Sequence, residues 1–180
     1  MKAGVHFFYL VQFSALILFI CGLVCVGGCT TAGSSIEVKQ TSAMSLSRYR
    51  RIAVEVTTKD LDFKTNELDR LTCSLLDGLR RSAKFDKVCT LSSSDAHEAN
   101  LKLFVVVQLV VAANVNKVQS IETSVALIDP ADGKMLANAL VNSHSEWKLF
   151  GGNMAKAIAS LSDQIVEFTT KLCLNSPELQ

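Results

Sequence analysis

The side chains best suited to catalysis are concentrated in one short stretch, where serines 92–94 are followed by Asp95, His97 and Glu98. Together they supply a nucleophile, a base and a group that could orient the base. Serines this close in sequence to their base seldom meet it in triad geometry, which is recognised by the spatial arrangement of its members. We therefore expect a solvated loop at this position.

A second histidine, His144, lies between Ser143 and Ser145 in a stretch that alternates like a β-strand. Alternation places the histidine on the face opposite to both serines, so we expect a surface histidine. The chain has three histidines and no HExxH sequence, and Gly151-Gly152 lacks the lysine and the further glycines of a phosphate-binding loop. The sequence therefore predicts no catalytic, cofactor-binding or metal-binding residues.

Cys29 ends an apolar run that begins near Phe7, and Lys2 is the only charged residue ahead of it. This is the charged and then apolar arrangement of an export signal. The small residues Gly27 and Gly28 stand directly before Cys29. Cys21 and Cys25 lie in the same run but follow branched side chains, which a peptidase that needs a small residue beside the scissile bond would reject.

The sequence Val26-Gly27-Gly28-Cys29 resembles the lipobox of bacterial lipoprotein precursors. The resemblance implies cleavage before Cys29, a diacylglyceryl thioether on its sulfur and a fatty acyl group such as palmitate on its amine. Several acyl chains anchor a protein stably where a single chain does not. Thr30 stands where some lipoproteins carry an inner-membrane-retaining aspartate, so the resemblance implies a periplasm-facing protein of the outer membrane, with the inner membrane as the alternative destination. The other alternative is an uncleaved helix over residues 7–26, which is long enough to cross a bilayer.

The predicted organisation is a signal peptide over residues 1–28, a flexible tether over 29–48, one domain over 49–175 and a tail over 176–180. Small polar residues dominate the predicted tether, and they bury too little surface to offset the entropy of ordering. The whole chain has 18 basic and 17 acidic residues, and removal of the signal takes away only Lys2, so the mature part is formally neutral. A nucleic-acid partner is therefore not expected. A basic group at residues 48, 50 and 51 could touch anionic head groups but is more typical of a solvated flank.

Hydrophobic periodicity predicts an α+β fold. Strands are expected near residues 52–57, 87–91, 101–113, 118–128 and 135–147, and the last three form a meander with a turn over 129–134. One helix is expected to be capped by Asn66 or Thr65 and carries a leucine stripe; another follows Gly151-Gly152, with Asn153 as its cap. The element order β-α-β-β-β-β-α predicts a two-layer α/β sandwich, with a mostly antiparallel sheet of about five strands and two helices on one face.

Residues 51–172 loosely resemble small periplasmic α/β lipoproteins, including families of unknown function, the curli-secretion lipoprotein and the lipoprotein activators of penicillin-binding proteins. The shared features are the opening strand, the leucine helix, the hairpin turn at Asp129 to Gly133 and the Gly151-Gly152 break before the last helix. This resemblance implies envelope assembly or scaffolding through protein contacts and no catalysis. The pore-forming segments of the curli-secretion protein have no counterpart here.

The strand at residues 101–112 predicts where a partner would bind. Its odd-numbered residues form an apolar face for the core, yet Phe104, Val106 and Val110 make the other face unusually apolar for the wet side of an antiparallel sheet. We expect these three residues to dock another envelope protein or a second copy of the chain. The alternative is that the tether folds back and covers them with Ile36, Val38 or Leu46. A different class of function, a periplasmic carrier or hydrolase for a small or lipidic ligand, would need convergent buried polar groups, which the sequence does not offer.

Three cysteines, Cys73, Cys89 and Cys173, remain in the predicted domain and would face an oxidising compartment after export. Neighbouring antiparallel helices could bring Cys73 and Cys173 together in a disulfide, which is the pairing we favour. Cys73 with Cys89 is a rival pairing. Three buried free thiols are the remaining alternative, because free cysteine is commonly buried.

Overall fold

A mixed sheet of six strands forms the frame of the fold, and two helices pack on one of its faces. The computed structural model describes residues 31–41, 46–112, 118–146 and 153–174. The elements are β1 (Thr31–Thr41), β2 (Arg51–Thr58), α1 (Thr65–Arg81), β3 (Lys87–Thr90), a 3₁₀ turn (Ser94–Glu98), β4 (Leu101–Ala112), β5 (Val118–Ile128), β6 (Met135–Glu146) and α2 (Met154–Leu174). The predicted α+β class is confirmed, and so is the predicted order of elements from β2 onward.

The strands lie in the order β1-β6-β5-β4-β2-β3. Strands β4, β5 and β6 form the predicted antiparallel meander, and β1 adds to it beside β6. Strands β2 and β3 run parallel to each other and to β4, because α1 carries the chain back between β2 and β3 before the next strand starts. Three of the five strand pairs are therefore antiparallel and two are parallel.

The core lies between the sheet and the helices. From α1 it receives Leu71, Leu75 and Leu79, and from α2 Ile158, Leu161 and Ile165, all of them fully or almost fully buried. The side of the sheet that meets them, here called the helical face, includes Leu101, Leu103, Val105 and Val107 of β4. The opposite side is called the open face. Among the described residues, no helix is long and apolar enough to cross a membrane.

The predicted flexible tether over residues 29–48 is wrong where the structure describes it, because Thr31–Thr41 forms strand β1 along residues 137–146 of β6. Two contacts fix the strand on the helical face: Ile36 packs against the core, and Ser34 Oγ donates a hydrogen bond of 3.0 Å to Gln164 Oε1 of α2. The backbone hydrogen bonds to β6 stabilise the ordered strand, because its small side chains bury too little surface to do so. The predicted signal peptide (1–28) and tail (176–180) lie outside the described residues.

The two helices approach closely at Gly78 of α1. A Cβ atom on Gly78 would lie 2.8 Å from Val166 Cγ2 of α2, so only glycine allows this spacing. Both helix starts are close to their predicted positions. Lys64 precedes α1 with its N–H bonded to Glu67 Oε2 at 2.9 Å, and Asn153 Oδ1 accepts from the N–H of Ala155 at 3.0 Å, as a cap of α2.

Candidate functional site

The serine-rich loop does not assemble a catalytic triad. Its residues form the 3₁₀ turn, in which Asp95 and Glu98 each place a carboxylate oxygen 3.0 Å from Lys87 Nζ of β3. The lysine lowers the pKa of both carboxyl groups, and their hydrogen bonds raise the pKa of Lys87. The exposed His97 has Nδ1 2.6 Å from the carbonyl oxygen of Ser94. These side chains fasten the turn to the sheet.

His144 lies exposed on the open face, and its ring occupies the space that a side chain at Gly33 of β1 would need. Ser143 and Ser145 lie on the helical face, as alternation predicts. Ser143 Oγ donates to the carbonyl oxygen of Ala157 at 2.7 Å, and Ser145 Oγ accepts from the N–H of Asn153 at 3.1 Å. Within the described residues, no three His, Cys, Asp or Glu side chains are grouped so that they could hold a metal ion.

The favoured disulfide between Cys73 and Cys173 is wrong in this structure, where Cys73, Cys89 and Cys173 are all free thiols. Cys73 faces solvent on α1, whereas Cys173 belongs to the buried core on α2, so the two sulfurs point to different surroundings. Burial raises the pKa of Cys173 to about 11. None of these three thiols is paired in the structure.

The open face carries an apolar group that we call the distal patch: Phe104 and Val106 of β4, Ala126 of β5 and Leu140 of β6. In the strand register, Phe104 pairs with Ala126 and Val106 pairs with Ser124. On its other side Ser124 pairs with Leu140. All four side chains are half-buried by their neighbours within the sheet. They line a shallow depression of about 210 Å³, with Lys39 of β1 at its edge.

A β-bulge between Val107 and Leu109 shows that the predicted place of Val110 in this patch is wrong. Gln108 stays on the open face, where its Nε2 donates to Ser124 Oγ at 2.8 Å. After the bulge the alternation is inverted, so that Val110 packs against the core opposite Ile121. Leu109 and Val111, expected in the core, are instead 47% and 43% exposed on the open face. We call these two residues the tip patch.

Asp60 stabilises the bulged geometry. Strand β2 ends at Thr58, opposite Val107, so the rest of β4 has no strand partner on that side. Asp60 takes its place: Oδ2 accepts a hydrogen bond of 2.6 Å from the N–H of Val110. This bond lowers the pKa of Asp60, and a second bond, from the N–H of Asp62, lowers it further. A carboxylate 50 residues away in sequence thus supports the inverted end of β4.

The alternative in which residues 29–48 fold over the patch is also wrong. Strand β1 lies beside β6, in the plane of the sheet. Ile36 packs on the helical face, Leu46 is buried in the core, and Val38 is 48% exposed. None of these three residues covers Phe104 or Val106.

Comparison with known proteins identifies the fold. No protein-family model matches the chain, and no curated protein matches it significantly. A PelC dodecamer from Paraburkholderia phytofirmans superposes with a TM-score of 0.56 at 13% identity, covering 74% of this chain and 95% of that one. Protein XCC0632 from Xanthomonas campestris, of the DUF330 family, gives 0.49 at 13% identity over 78% and 90%. Lipoprotein GNA1162 from Neisseria meningitidis gives 0.41 at 14% identity over 71% and 99%.

The chain is thus similar in fold to the PelC structure, and at 13% identity the similarity concerns the fold alone. The lipobox itself, residues 26–29, lies outside the described residues.

Proposed function

We propose that the chain is a cell-envelope lipoprotein, anchored by lipid on Cys29, whose domain acts through protein contacts made by the distal patch. The sequence Val26-Gly27-Gly28-Cys29 supports the anchor, and Thr30 supports an outer-membrane, periplasm-facing position. The proposal assigns no catalytic residue.

The observation that carries the proposal is the apolar character of the open face. In a one-sided antiparallel sheet the face away from the helices is normally polar. Here Phe104, Val106 and Leu140 form a contiguous apolar group on that face, while both helices pack on the other. Contiguous exposed apolar groups on soluble domains commonly mark binding surfaces. A protein partner would complete the burial of these side chains.

Two kinds of partner fit the distal patch: a different envelope protein or a second copy of the chain. The structural similarity to a PelC dodecamer supports the second copy. An adduct whose mass is a whole multiple of that of the mature chain would identify self-association, and an adduct of any other mass would identify a different protein.

The alternative function, a carrier or hydrolase, is supported by one other feature. A depression of about 450 Å³ lies between α1 and the ends of β2 and β3, with Glu55, Asp69 and Thr72 in its wall. It is open to solvent, whereas ligand sites bury about 70–90% of a small molecule. The protein-contact function is therefore the better supported of the two.

A photo-crosslinking amino acid at Val106, placed in intact cells, tests the docking role. We expect one dominant protein adduct, and we expect Phe104→Asp to abolish it while preserving the melting temperature, since Phe104 is only half-buried. Leu61→Asp is the matched control, because Leu61 is 99% exposed in a turn outside the patch. An adduct that persists in Phe104→Asp, or a Phe104→Asp domain that no longer folds, would refute the docking role.

Mass spectrometry of the mature N-terminus tests the anchor. We expect a blocked, acylated Cys29 as the first residue and an unprocessed precursor in Cys29→Ser. A mature chain that starts elsewhere, or that keeps Lys2, would refute the anchor and leave the docking test unaffected.

A further inference from the structure

Strand β1 begins only two residues after Cys29. An extended chain spans at most about 3.5 Å per residue, so Thr31 lies within roughly 7 Å of the cysteine. If Cys29 is acylated, as the proposed function requires, no spacer remains to lift the domain from the membrane. The end of the sheet that contains Thr31 must then lie at the level of the lipid head groups.

Strand register identifies which residues share this end. Thr31 pairs with Glu146, Glu146 pairs with Val118, and Ala112 lies beside Gln119. The four strands β1, β6, β5 and β4 therefore share a proximal end, which extends past the last residue of β2, Thr58. The opposite, distal end of β1 is roughly 33 Å away, at about 3.3 Å per residue.

The basic group lies at the distal end. Strand β2 begins at Arg51, beside the starts of β3 and β4, and Arg48 is engaged with Asp129 at the end of β5. These cations are therefore too far from the proximal end to meet the head groups that surround the anchor. Contact between the domain and its own membrane must involve other residues.

The tip patch lies at the proximal end of the open face. Val111 is in register with Ser120, His144 and Gly33, so it stands only two residues further from the membrane than Thr31. Leu109 lies two residues before Val111 on the same face, in register with Glu122 and Asn142. Val111 is thus within roughly 14 Å of Cys29 along the strand direction. A lean of the sheet toward its open face would bring both side chains into the head-group region.

We propose that the domain leans on the membrane with the proximal end of its open face, so that Leu109 and Val111 contact lipid. Two features favour lipid over a protein at this position. The tip patch has only two residues, far fewer than the roughly 20–30 residues per side of a stable protein interface. Gln108, which is hydrogen-bonded to Ser124, separates it from the distal patch along β4.

The experiment measures the depth of these positions in a bilayer. The full mature lipidated protein is reconstituted into vesicles of phosphatidylethanolamine and phosphatidylglycerol that contain doxyl-labelled lipid. An environment-sensitive fluorophore is attached at Val111→Cys or, independently, at Leu109→Cys, in a background with Cys73, Cys89 and Cys173 replaced. Met135→Cys is the matched control, because Met135 is 40% exposed at the distal end of β6.

We expect quenching by doxyl lipid and a blue shift at positions 111 and 109, with at most a small fraction of that quenching at 135. An anchored protein in which 111 and 109 are quenched no more than 135 overturns the membrane contact but leaves the anchor intact. A probe that is shielded from water yet not quenched by doxyl lipid shows a protein contact, and this too overturns the inference. A protein without acyl groups on Cys29, which does not float with the vesicles, overturns both the anchor and the inference.

Discussion

Tyr49 Oη donates a hydrogen bond of 2.5 Å to Asp129 Oδ2, although the two residues are 80 positions apart. Arg48 Nη2 donates to Tyr49 Oη at 2.8 Å and to Asp129 Oδ2 at 3.1 Å. The Arg48 guanidinium lies 4.9 Å from the centre of the Tyr49 ring. The other oxygen of Asp129 accepts from the N–H of Ala131 in the turn between β5 and β6. This cluster ties the segment before β2 to the distal end of the meander.

Replacement of Tyr49 by phenylalanine tests the strength of this link. The hydroxyl is the main neutral partner of a buried carboxylate, and Tyr49 is 3% exposed. We expect Tyr49→Phe to lower the free energy of unfolding by about 1.5–3 kcal/mol, the range for hydrogen bonds to charged groups. Urea unfolding measures the change. Arg48→Gln is the control and should have a smaller effect, because the Arg48 side chain is 60% exposed. Equal stability of Tyr49→Phe and the wild type would contradict the assignment.

The same cluster predicts a specific dependence of stability on pH. The hydrogen bond from Tyr49, the N–H of Ala131 and the charge of Arg48 lower the pKa of Asp129 from its ordinary 3.8. A carboxyl group with a lowered folded-state pKa stabilises the fold above its unfolded pKa and loses that contribution as pH falls through the folded value. The stability difference between wild type and Tyr49→Phe should therefore be constant from neutral pH down to about pH 5 and shrink below about pH 4. Urea titrations at each pH measure it, and a constant difference down to pH 2 would contradict the assignment.

Gly78 offers a test of helix packing in which two principles oppose each other. Alanine is favoured over glycine inside a helix by about 1 kcal/mol. At this site, however, its Cβ would lie 2.8 Å from Val166 Cγ2, and the branched valine side chain has little freedom to move. Overpacking of this kind costs about 1–3 kcal/mol. We expect a net loss of about 1 kcal/mol in Gly78→Ala, measured by urea unfolding.

The double variant Gly78→Ala, Val166→Ala provides the control. The clash is then absent, so the alanine at 78 should stabilise the Val166→Ala background by its helix propensity alone. A stabilising Gly78→Ala in the wild-type background would show that the helices can separate without cost.

The sequence predicts those elements whose side chains repeat regularly. The leucine stripe of α1 and the alternation in β5 and β6 arise because each element buries one side. The resulting spacing of apolar residues can be read directly from the sequence. Strand β1 lacks such a pattern, because a polar edge strand is held mainly by backbone pairing with β6. Its composition therefore suggests a tether.

The bulge in β4 was not predictable for a different reason. Residues 109 and 111 are apolar, so the sequence reads as an uninterrupted alternation across the point where the faces exchange. The contact that supports the exchange, between Asp60 and the N–H of Val110, joins segments that only the fold brings together. Phe104 and Val106 precede the bulge and lie on the predicted face, whereas Val110 follows it and does not.

The three free thiols should differ widely in reactivity. Cys73 is exposed on α1, Cys89 is half-buried with its pKa raised by burial and by nearby Asp95, and Cys173 is buried with a pKa of about 11. Thiolate is the reactive form, so burial and a raised pKa both slow the reaction of Cys89 and Cys173. At pH 8 we expect a maleimide to modify Cys73 first, Cys89 more slowly and Cys173 only on unfolding, as read by mass spectrometry of the digested protein. Cys73→Ser should remove the fast phase alone. A Cys73 that stays unmodified until the folded protein is reduced would contradict this order.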